Sequence, residues 1–195
     1  MKYEPEIQEK FDLYSQILRE WQTKMNLIAS STLDNIQNRH IDDSAQLADY
    51  LPKSKNIIII DLGSGAGFPS VVLAILGWQV IAIESISKKT RFLNEVKSKL
   101  ALPNLTIVNE RVEIYLKQTK FNPSKKIIFT ARAFSSLKNI LDYIAAFATS
   151  AYLLKGAKIQ EEIIEARKKY KFNYRLISSK TGDGFIINIY NIKSN

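Results

Sequence analysis

Near the N-terminus, apolar residues recur every three or four positions from Ile7 to Ile28. That spacing places them on one face of an amphipathic helix. A second helical segment is predicted over residues 33–49, and Pro52 follows it, because proline cannot continue a helix. We therefore predict that residues 1–53 form a helical extension packed on a main domain, which comprises residues 54–195.

In the main domain the pattern changes to short, wholly apolar runs that alternate with helical segments. Strands are predicted at residues 56–60, 80–83, 105–108, 126–129 and 152–154. Helices are predicted at residues 70–76, 87–100, 112–118, 136–149 and 159–170. Apolar strands that alternate with helices indicate a parallel sheet covered on both faces.

The end of the chain has two further strand-like runs, at residues 174–177 and 185–189. No helical pattern separates them, so we predict an antiparallel hairpin at one edge of the sheet. The predicted fold is an α/β, Rossmann-like domain with a seven-stranded, mostly parallel sheet.

Charge and composition narrow the possible functions. The chain has 195 residues, with 28 Lys and Arg against 19 Asp and Glu, a formal net charge of +9. This surplus favours a polyanionic partner such as nucleic acid. The absence of cysteine excludes disulfides and thiolate nucleophiles, and a single histidine, His40, disfavours a histidine metal site. Neither a signal-peptide pattern nor a membrane-spanning apolar run occurs, so we expect a cytoplasmic protein without a membrane partner.

A glycine-rich segment, Asp-Leu-Gly-Ser-Gly-Ala-Gly from Asp61, follows the first predicted strand of the main domain directly. Its G-x-G-x-G spacing differs from the G-x-G-x-x-G of dinucleotide-binding folds. A carboxylate at Asp61 would repel a pyrophosphate but would suit a cationic ligand. S-adenosylmethionine is such a ligand, with an ammonium and a sulfonium group. Glu84 ends the next strand about 20 residues later, where nucleoside-binding folds place an acceptor for the ribose hydroxyls.

Five linked motifs occur along the chain: R-H-I-D-D-S from Arg39, D-L-G-S-G-A-G-F-P from Asp61, K-K-T-R-F-L from Lys88, A-R-A-F from Ala131 and L-K-G from Leu154. Taken together, they resemble the RsmG (GidB) family of small-subunit ribosomal RNA methyltransferases. The resemblance runs from about residue 21 to about residue 156. The chain departs from the family pattern at Gln22, Ile28, Ser70, Lys89 and Gly184.

The resemblance implies a class I methyltransferase fold with an N-terminal helical extension. It also implies methyl transfer from S-adenosylmethionine to N7 of a guanine in a decoding-region loop of 16S rRNA. The cofactor contacts that it implies lie at the glycine loop, the ribose, the adenine and the end of the fourth strand. With the loop residues Asp61 and Gly65, the expected cofactor-binding set is Asp61, Gly63, Gly65, Phe68, Glu84, Val112, Glu113 and Arg132.

Guanine N7 carries a lone pair and no proton, so its attack on a sulfonium methyl group requires no general base. Catalysis is then mainly a matter of orientation and desolvation. Arg132 follows the fourth strand, where substrate and cofactor would meet, and is our candidate for a catalytic positioning residue. A structural role for Arg132, paired with an acid, is the alternative.

Basic residues suggest where RNA would bind. Lys88, Lys89 and Arg91 begin a predicted helix, where the helix dipole disfavours cations. We therefore expect them to contact RNA phosphates, although a solvated helix face is the common alternative. Arg39 and Lys155 complete the expected RNA-binding set.

Other functions remain open from the sequence. A nicotinamide oxidoreductase would need a different glycine spacing, and a small-molecule methyltransferase would not need the basic charge. A methyltransferase for another RNA and a non-catalytic RNA-binding protein with a vestigial cofactor loop are further alternatives. We expect a monomer that acts on 16S rRNA or on the small ribosomal subunit.

Overall fold

A seven-stranded sheet is the centre of the fold in the computed structural model, which describes residues 1–147 and 150–195. The strand order is β3-β2-β1-β4-β5-β7-β6. The first five strands pair in parallel, and β7 pairs antiparallel with both β5 and β6. The predicted sheet and its edge hairpin are thus confirmed. The strands are β1 Ile57–Leu62, β2 Val80–Ile83, β3 Leu105–Val108, β4 Lys126–Arg132, β5 Ser150–Lys155, β6 Tyr170–Ser178 and β7 Phe185–Ser194.

Several strands extend beyond the predicted apolar runs because their ladder hydrogen bonds continue through polar positions. In β1, Asp61 lies inside the strand and pairs with Ala82 of β2 and Thr130 of β4. At the end of β4, Arg132 pairs with Leu154 of β5. The carboxyl ends of the central strands therefore present Asp61 and Arg132 close to the loops that follow.

Helices cover both faces of the sheet and account for the two hydrophobic cores. The predicted helix at residues 136–149 ends as an α-helix at Ile144, and its last two residues lie outside the described part. In residues 1–147 and 150–195, no helix has the length and apolar character needed to cross a membrane. The helices are α1 Pro5–Gln22, α2 Asp43–Ala45, α3 Ser70–Ile75, α4 Ser87–Lys99, α5 Val112–Gln118, α6 Leu137–Ile144 and α7 Ile159–Arg167.

The first helix is shorter than its apolar stripe predicts, because it ends at Gln22 instead of residue 28. The Gln22 side chain accepts hydrogen bonds from the backbone of Leu27 and Ile28 at 2.9 and 3.1 Å. Its amide also donates to the Ile28 carbonyl at 3.0 Å. These bonds satisfy the backbone groups of the loop without a helix, so the prediction of a helix to residue 28 is wrong.

The predicted helix at residues 33–49 is also wrong as a single element. The segment contains a 3₁₀ turn at Ser30–Asn35, a π-helical turn at Gln37–Asp42, the short helix α2 and a second 3₁₀ turn at Gln46–Asp49. Short π-helical turns occur often at functional sites. This one carries His40, which is buried, and the exposed Arg39.

The N-terminal segment shares one apolar core with the sheet. Phe11, Tyr14 and Leu18 of α1 belong to the same buried cluster as Ile59 of β1 and Val71 of α3. Burial of such side chains contributes about 1.5–3 kcal/mol each, so the helical segment is a packed part of the fold. The division of the chain into domains at residue 53 stays a prediction.

Candidate active site

Two neighbouring clefts open at the carboxyl ends of the parallel strands, where α/β folds bind their ligands. They meet at Arg132, Ala133 and Phe134, which line both. The first cleft has a volume of about 580 Å³, and its lining includes Gly63, Gly65, Phe68, Glu84, Val112 and Glu113. The second cleft has a volume of about 770 Å³, and its lining includes Arg39, Ser136, Gly156, Ala157, Thr181 and Gly184.

The glycine loop between β1 and α3 forms one wall of the first cleft. Gly63, Gly65 and Gly67 adopt positive φ angles of 67°, 57° and 89°, which glycine tolerates without strain. A Cβ atom at Gly63 would overlap the Phe134 ring. At Gly65, which lines the first cleft, an added Cβ would meet only the Gly63 carbonyl oxygen, at 3.9 Å, in the described chain. Gly65 is therefore where the loop backbone leaves room for a ligand.

Glu84 fixes the opposite side of this loop. It is 6% exposed, and its carboxylate accepts hydrogen bonds from the backbone N–H groups of Gly65 and Ile86, both at 2.8 Å. A carboxylate oxygen can accept more than one hydrogen bond. Glu84 thus holds the loop and retains the capacity to accept hydrogen bonds from ligand hydroxyl groups in the cleft.

Asp61 lies beneath the glycine loop and does not line the cleft. It is fully buried, with Oδ1 3.4 Å from Thr130 Oγ1, and Oδ2 has no hydrogen-bond partner among the described residues. Burial raises the pKa of Asp61 to about 6. A buried carboxylate can attract a cationic ligand through its charge, without direct lining of the cleft.

Arg132 connects the end of β4 to the N-terminal segment. Its Nε lies 3.0 Å from Asp43 Oδ2, Nη1 lies 2.9 Å from His40 Nδ1, and Nη2 donates to the Arg39 carbonyl at 2.9 Å. We call these four residues the Arg132 clamp. Burial lowers the pKa of Arg132, yet an arginine remains charged in proteins. The interactions support the structural alternative for Arg132, since three of its donors already serve the fold.

His40, which sequence reasoning left out of the site, lines the first cleft. Its ring stacks on Phe68 with centroids 4.9 Å apart, and Nε2 lies 2.7 Å from Thr32 Oγ1. Burial and the charge of Arg132 lower the pKa of His40 to about 4. The imidazole is therefore neutral at neutral pH, and its Nδ1 accepts the hydrogen bond from Arg132. The sequence signal for this position was the R-H-I-D-D-S motif, which contains His40 itself.

The loop between β6 and β7, residues 179–184, reaches the same clamp and is here called the hairpin tip. Asp43 Oδ1 accepts a hydrogen bond from Thr181 Oγ1 at 2.8 Å, across 138 residues of sequence. Gln46 Nε2 donates to Ser179 Oγ at 3.0 Å, and Gln46 Oε1 accepts from the backbone N–H of Lys180 at 3.0 Å. Sequence reasoning missed these contacts because no local pattern marks so distant a pair.

The expected RNA-binding residues fall into different environments. Lys89 lines the first cleft, Arg39 lines the second, and Arg91 is exposed. Lys88 donates to the Lys24 carbonyl at 2.7 Å.

Lys155, by contrast, is engaged inside the protein. Its Nζ lies 2.7 Å from Glu162 Oε2 and 2.6 Å from the Ser135 carbonyl, and its side chain is 9% exposed. Lys155 also lines the second cleft, with its ammonium group engaged in this ion pair, and its contact with RNA stays a prediction.

Within residues 1–147 and 150–195, no group of three or more Asp, Glu or His side chains could hold a metal ion.

Comparisons with known proteins agree with this architecture. The sequence profile of the family described as rRNA small subunit methyltransferase G (GidB) matches residues 7–182. The ribosomal RNA small subunit methyltransferase G of Rickettsia prowazekii (strain Madrid E) is 38% identical over 196 residues, covering 98% of each chain.

Among solved structures, the precorrin-6y C5,15-methyltransferase of Geobacter metallireducens GS-15 superposes with a TM-score of 0.56. It is 13% identical, over 85% of this chain and 90% of that one. A mutant of MtNAS in complex with S-adenosylmethionine gives a TM-score of 0.59 at 9% identity, over 94% of this chain and 75% of that one. At such identities the likeness concerns the fold alone, and it confirms the expected class I methyltransferase fold.

Proposed function

The chain belongs to the rRNA small subunit methyltransferase G family, and on this premise we propose that it methylates N7 of a guanine in 16S rRNA, using S-adenosylmethionine. One structural observation supports this proposal independently of the family membership. The first cleft, with its glycine loop and its carboxylate, meets the second cleft at Arg132, Ala133 and Phe134. A cofactor and a methyl acceptor bound in the two clefts would meet where β4 ends.

The first cleft fits the cofactor. S-adenosylmethionine supplies an electrophilic methyl group on a sulfonium. The backbone at Gly65 leaves space for the cofactor, and the Glu84 carboxylate is placed to accept hydrogen bonds from its ribose hydroxyls. Val112 and Glu113, at the start of α5, line the side of the cleft assigned to the adenine. Beneath the loop, the negative charge of Asp61 favours a cationic ligand.

The chemistry at N7 demands little from acid or base groups. The N7 lone pair attacks the methyl group directly, so the main contribution of the protein is to align the two reactants and exclude water. Arg132 acts here as a positioning residue, because it fixes His40 against Phe68 at the first cleft. His40 is neutral and both of its ring nitrogens have partners, which agrees with a reaction that needs no general base.

The basic surface supports an RNA substrate. Lys88, Lys89 and Arg91 begin α4 beside the first cleft, and Arg39 lines the second. The chain as a whole has a formal net charge of +9. Its charge and these four cations favour a phosphate backbone that reaches across both clefts. Action as a monomer in the cytoplasm on 16S rRNA, free or in the small subunit, completes the proposal.

Mapping of rRNA modifications by mass spectrometry tests this function. Small subunits are isolated from bacteria that lack their own methyltransferase G, then incubated with the purified protein and S-adenosylmethionine. We expect one additional 7-methylguanosine in 16S rRNA. An unchanged modification map would contradict the proposed function, and calorimetric titration with S-adenosylmethionine would then identify a vestigial loop by the absence of binding heat.

A further inference from the structure

The second cleft is bounded by segments that are far apart in the sequence. Its walls come from the loop after β4, the loop after β5 and the hairpin tip. At about 770 Å³ it lies within the range of about 300–1,000 Å³ that is common for small-molecule pockets. The cleft is therefore large enough for a compact ligand of its own beside the first cleft.

Small residues line the walls of the second cleft, so few side chains project into it. Gly156, Ala157 and Gly184 line it, and a Cβ atom added at Gly156 would meet no atom within 4 Å in the part of the chain that is described. The Phe134 ring lines both clefts and provides an aromatic surface at their junction. Open space between small residues and an aromatic ring suits a flat heterocycle, because RNA-binding sites stack unpaired bases on such rings.

Most of the charge at the floor of the second cleft is already neutralised. Arg132 pairs with Asp43 at 3.0 Å, and Lys155 pairs with Glu162 at 2.7 Å. A floor of paired charges favours an uncharged polar group over a phosphate.

The rim of the second cleft differs from its floor. Arg39 and Lys158 are exposed there, as are Glu161 and Asp183, and none of the four forms an ion pair within residues 1–147 and 150–195. The two cations can contact the phosphates on either side of a base, whereas the two carboxylates would repel them. The rim therefore has mixed charge, and the fit to a nucleobase depends on the floor and walls of the cleft.

The turn that separates the clefts is held in an unusual conformation. Ala133 has a positive φ of 50°, a backbone conformation that costs about 1–3 kcal/mol and that clusters at functional sites. The Arg132 clamp holds the turn on one side. On the other side, Lys155 donates to the Ser135 carbonyl at 2.6 Å, and Glu162 accepts from the Leu137 N–H at 2.6 Å. The chain therefore maintains a strained turn at the point where the two clefts meet.

We propose that the second cleft binds a single purine nucleotide of the RNA, extruded from its base stack, with its base between Phe134 and Gly156. Enzymes that modify a base commonly take it out of the stack, and a loop nucleotide is the least costly to extrude. In this position the imidazole edge of the purine faces Ala133 and the first cleft. The inference rests on the proposed function, and it adds the conformation of the methyl acceptor and the residues that hold its base.

Gly156→Leu and Ala157→Phe, which fill the second cleft from adjacent wall positions, test the inference. Ser98→Leu on the exposed face of α4 is the matched control, since Ser98 lines neither cleft. Small subunits lacking the modification serve as substrate, with S-adenosylmethionine labelled in its methyl group. Each variant is assayed for kcat/KM, for the Kd of S-adenosylmethionine by calorimetry, and for thermal unfolding.

For both cleft variants we expect kcat/KM to fall about 10- to 100-fold, the change expected when one stacked base is displaced. The Kd of S-adenosylmethionine should stay within about twofold of the parent value, as should all properties of Ser98→Leu. A folded cleft variant that methylates as fast as the parent would overturn the inference. A parent protein that does not methylate rRNA would instead contradict the proposed function, so the two failures are distinguishable.

Discussion

The two clefts share three residues, yet different kinds of interaction build them. In the first cleft, the glycine loop and Glu84 lie at the ends of adjacent parallel strands and are joined by a bond to a backbone N–H. In the second cleft, the walls are connected by side chains such as Asp43 and Arg132, which belong to distant segments. We therefore expect the first cleft to be disrupted by a substitution that strains its glycine backbone, and the second by the loss of one polar side chain.

The largest expected effect is the loss of cofactor binding in Gly65→Val, which breaks the first cleft through its backbone. A valine at φ 57° is strained, and its side chain would project into the open space of the cleft. We expect no measurable heat of S-adenosylmethionine binding. Gly77→Val is the matched control, because Gly77 also has a positive φ, of 98°, and open space, but lines neither cleft. Equal cofactor affinities in the two variants would place the cofactor elsewhere.

The next effect concerns the second cleft, where Arg132→Ala removes the centre of the clamp. Loss of one partner of a buried ion pair costs about 3–5 kcal/mol. The Arg132 and Asp43 side chains are 21% and 19% exposed, so we expect a loss of about 2–3 kcal/mol in the free energy of unfolding. Urea unfolding measures it, and the neighbouring exposed Arg39→Ala should change stability by less than about 0.5 kcal/mol.

Activity assays separate two roles for Arg132. If Arg132→Ala unfolds like the parent while its kcat falls, the arginine acts mainly by contact with the substrate. If its stability falls as expected, and Asp43→Asn shows part of the same loss, the clamp is its main role.

The third effect is a gain in stability in Asp61→Asn, beneath the first cleft. The pKa of Asp61 is about 6 in the folded protein, above its ordinary value of 3.8, because the carboxyl group is buried. The native state thus retains a proton that the unfolded chain loses, and this group lowers stability as the pH rises from about 4 to about 6. Above that window, Asp61→Asn should be more stable by about 2–3 kcal/mol and should bind S-adenosylmethionine more weakly.

His40 supplies the opposite pH slope, which makes the Asp61 experiment sharper. Its pKa is lowered from 6.5 to about 4 by burial and by the charge of Arg132, so its contribution to stability is lost as the pH falls through this range. In the parent the two slopes partly cancel. Urea unfolding of Asp61→Asn between about pH 4 and 7 should show stability rising with pH, and a flat profile would contradict the pKa assigned to His40.

The smallest effect distinguishes exposed cations from an internal one. RNA affinity falls with salt concentration, and the slope of log affinity against log salt reports the number of phosphates neutralised. In the triple variant Lys88→Ala, Lys89→Ala and Arg91→Ala, this slope should become shallower by about 0.7–0.9 for each phosphate that is no longer neutralised. The stability of this variant should change little. Lys155→Met should leave the salt dependence of RNA binding unchanged and should lower the stability, because Lys155 pairs with Glu162 inside the protein. RNA affinity measured against salt concentration tests both, and an unchanged slope in the triple variant would indicate a solvated helix face.

The sequence was most informative where the structure depends on residues that are close together along the chain. The apolar runs identified the five parallel strands, and a missing helix identified the hairpin, since strand pairing of this kind follows from local hydrophobicity. The sequence was less informative where side-chain hydrogen bonds take the place of the backbone hydrogen bonds of a helix. Gln22 ends the first helix by hydrogen bonds to residues 27 and 28, although the apolar stripe continues to Ile28.

The candidate site divides in the same way. Gly63, Gly65 and Glu84 follow strand ends, so their place in one cleft could be predicted from topology. Asp43 and Lys155 could not be placed, because their roles depend on Arg132, Thr181 and Glu162, partners that no local pattern identifies.

The distance that the Arg132 clamp covers along the chain has a consequence for folding. Within the clamp, a hydrogen bond joins His40 to Arg132 across 92 residues, and a further bond joins Asp43 of the clamp to Thr181 of the hairpin tip across 138 residues. Interactions of such high sequence separation form only after the entropic cost of closing a long loop has been met. We therefore expect the clamp to form late in folding, whereas the hydrogen bond between the Gly65 N–H and Glu84 spans only 19 residues and can form earlier. Amides around the hairpin tip should accordingly exchange with solvent deuterium in one cooperative step with those of the π-helical turn, since Asp43 connects both segments.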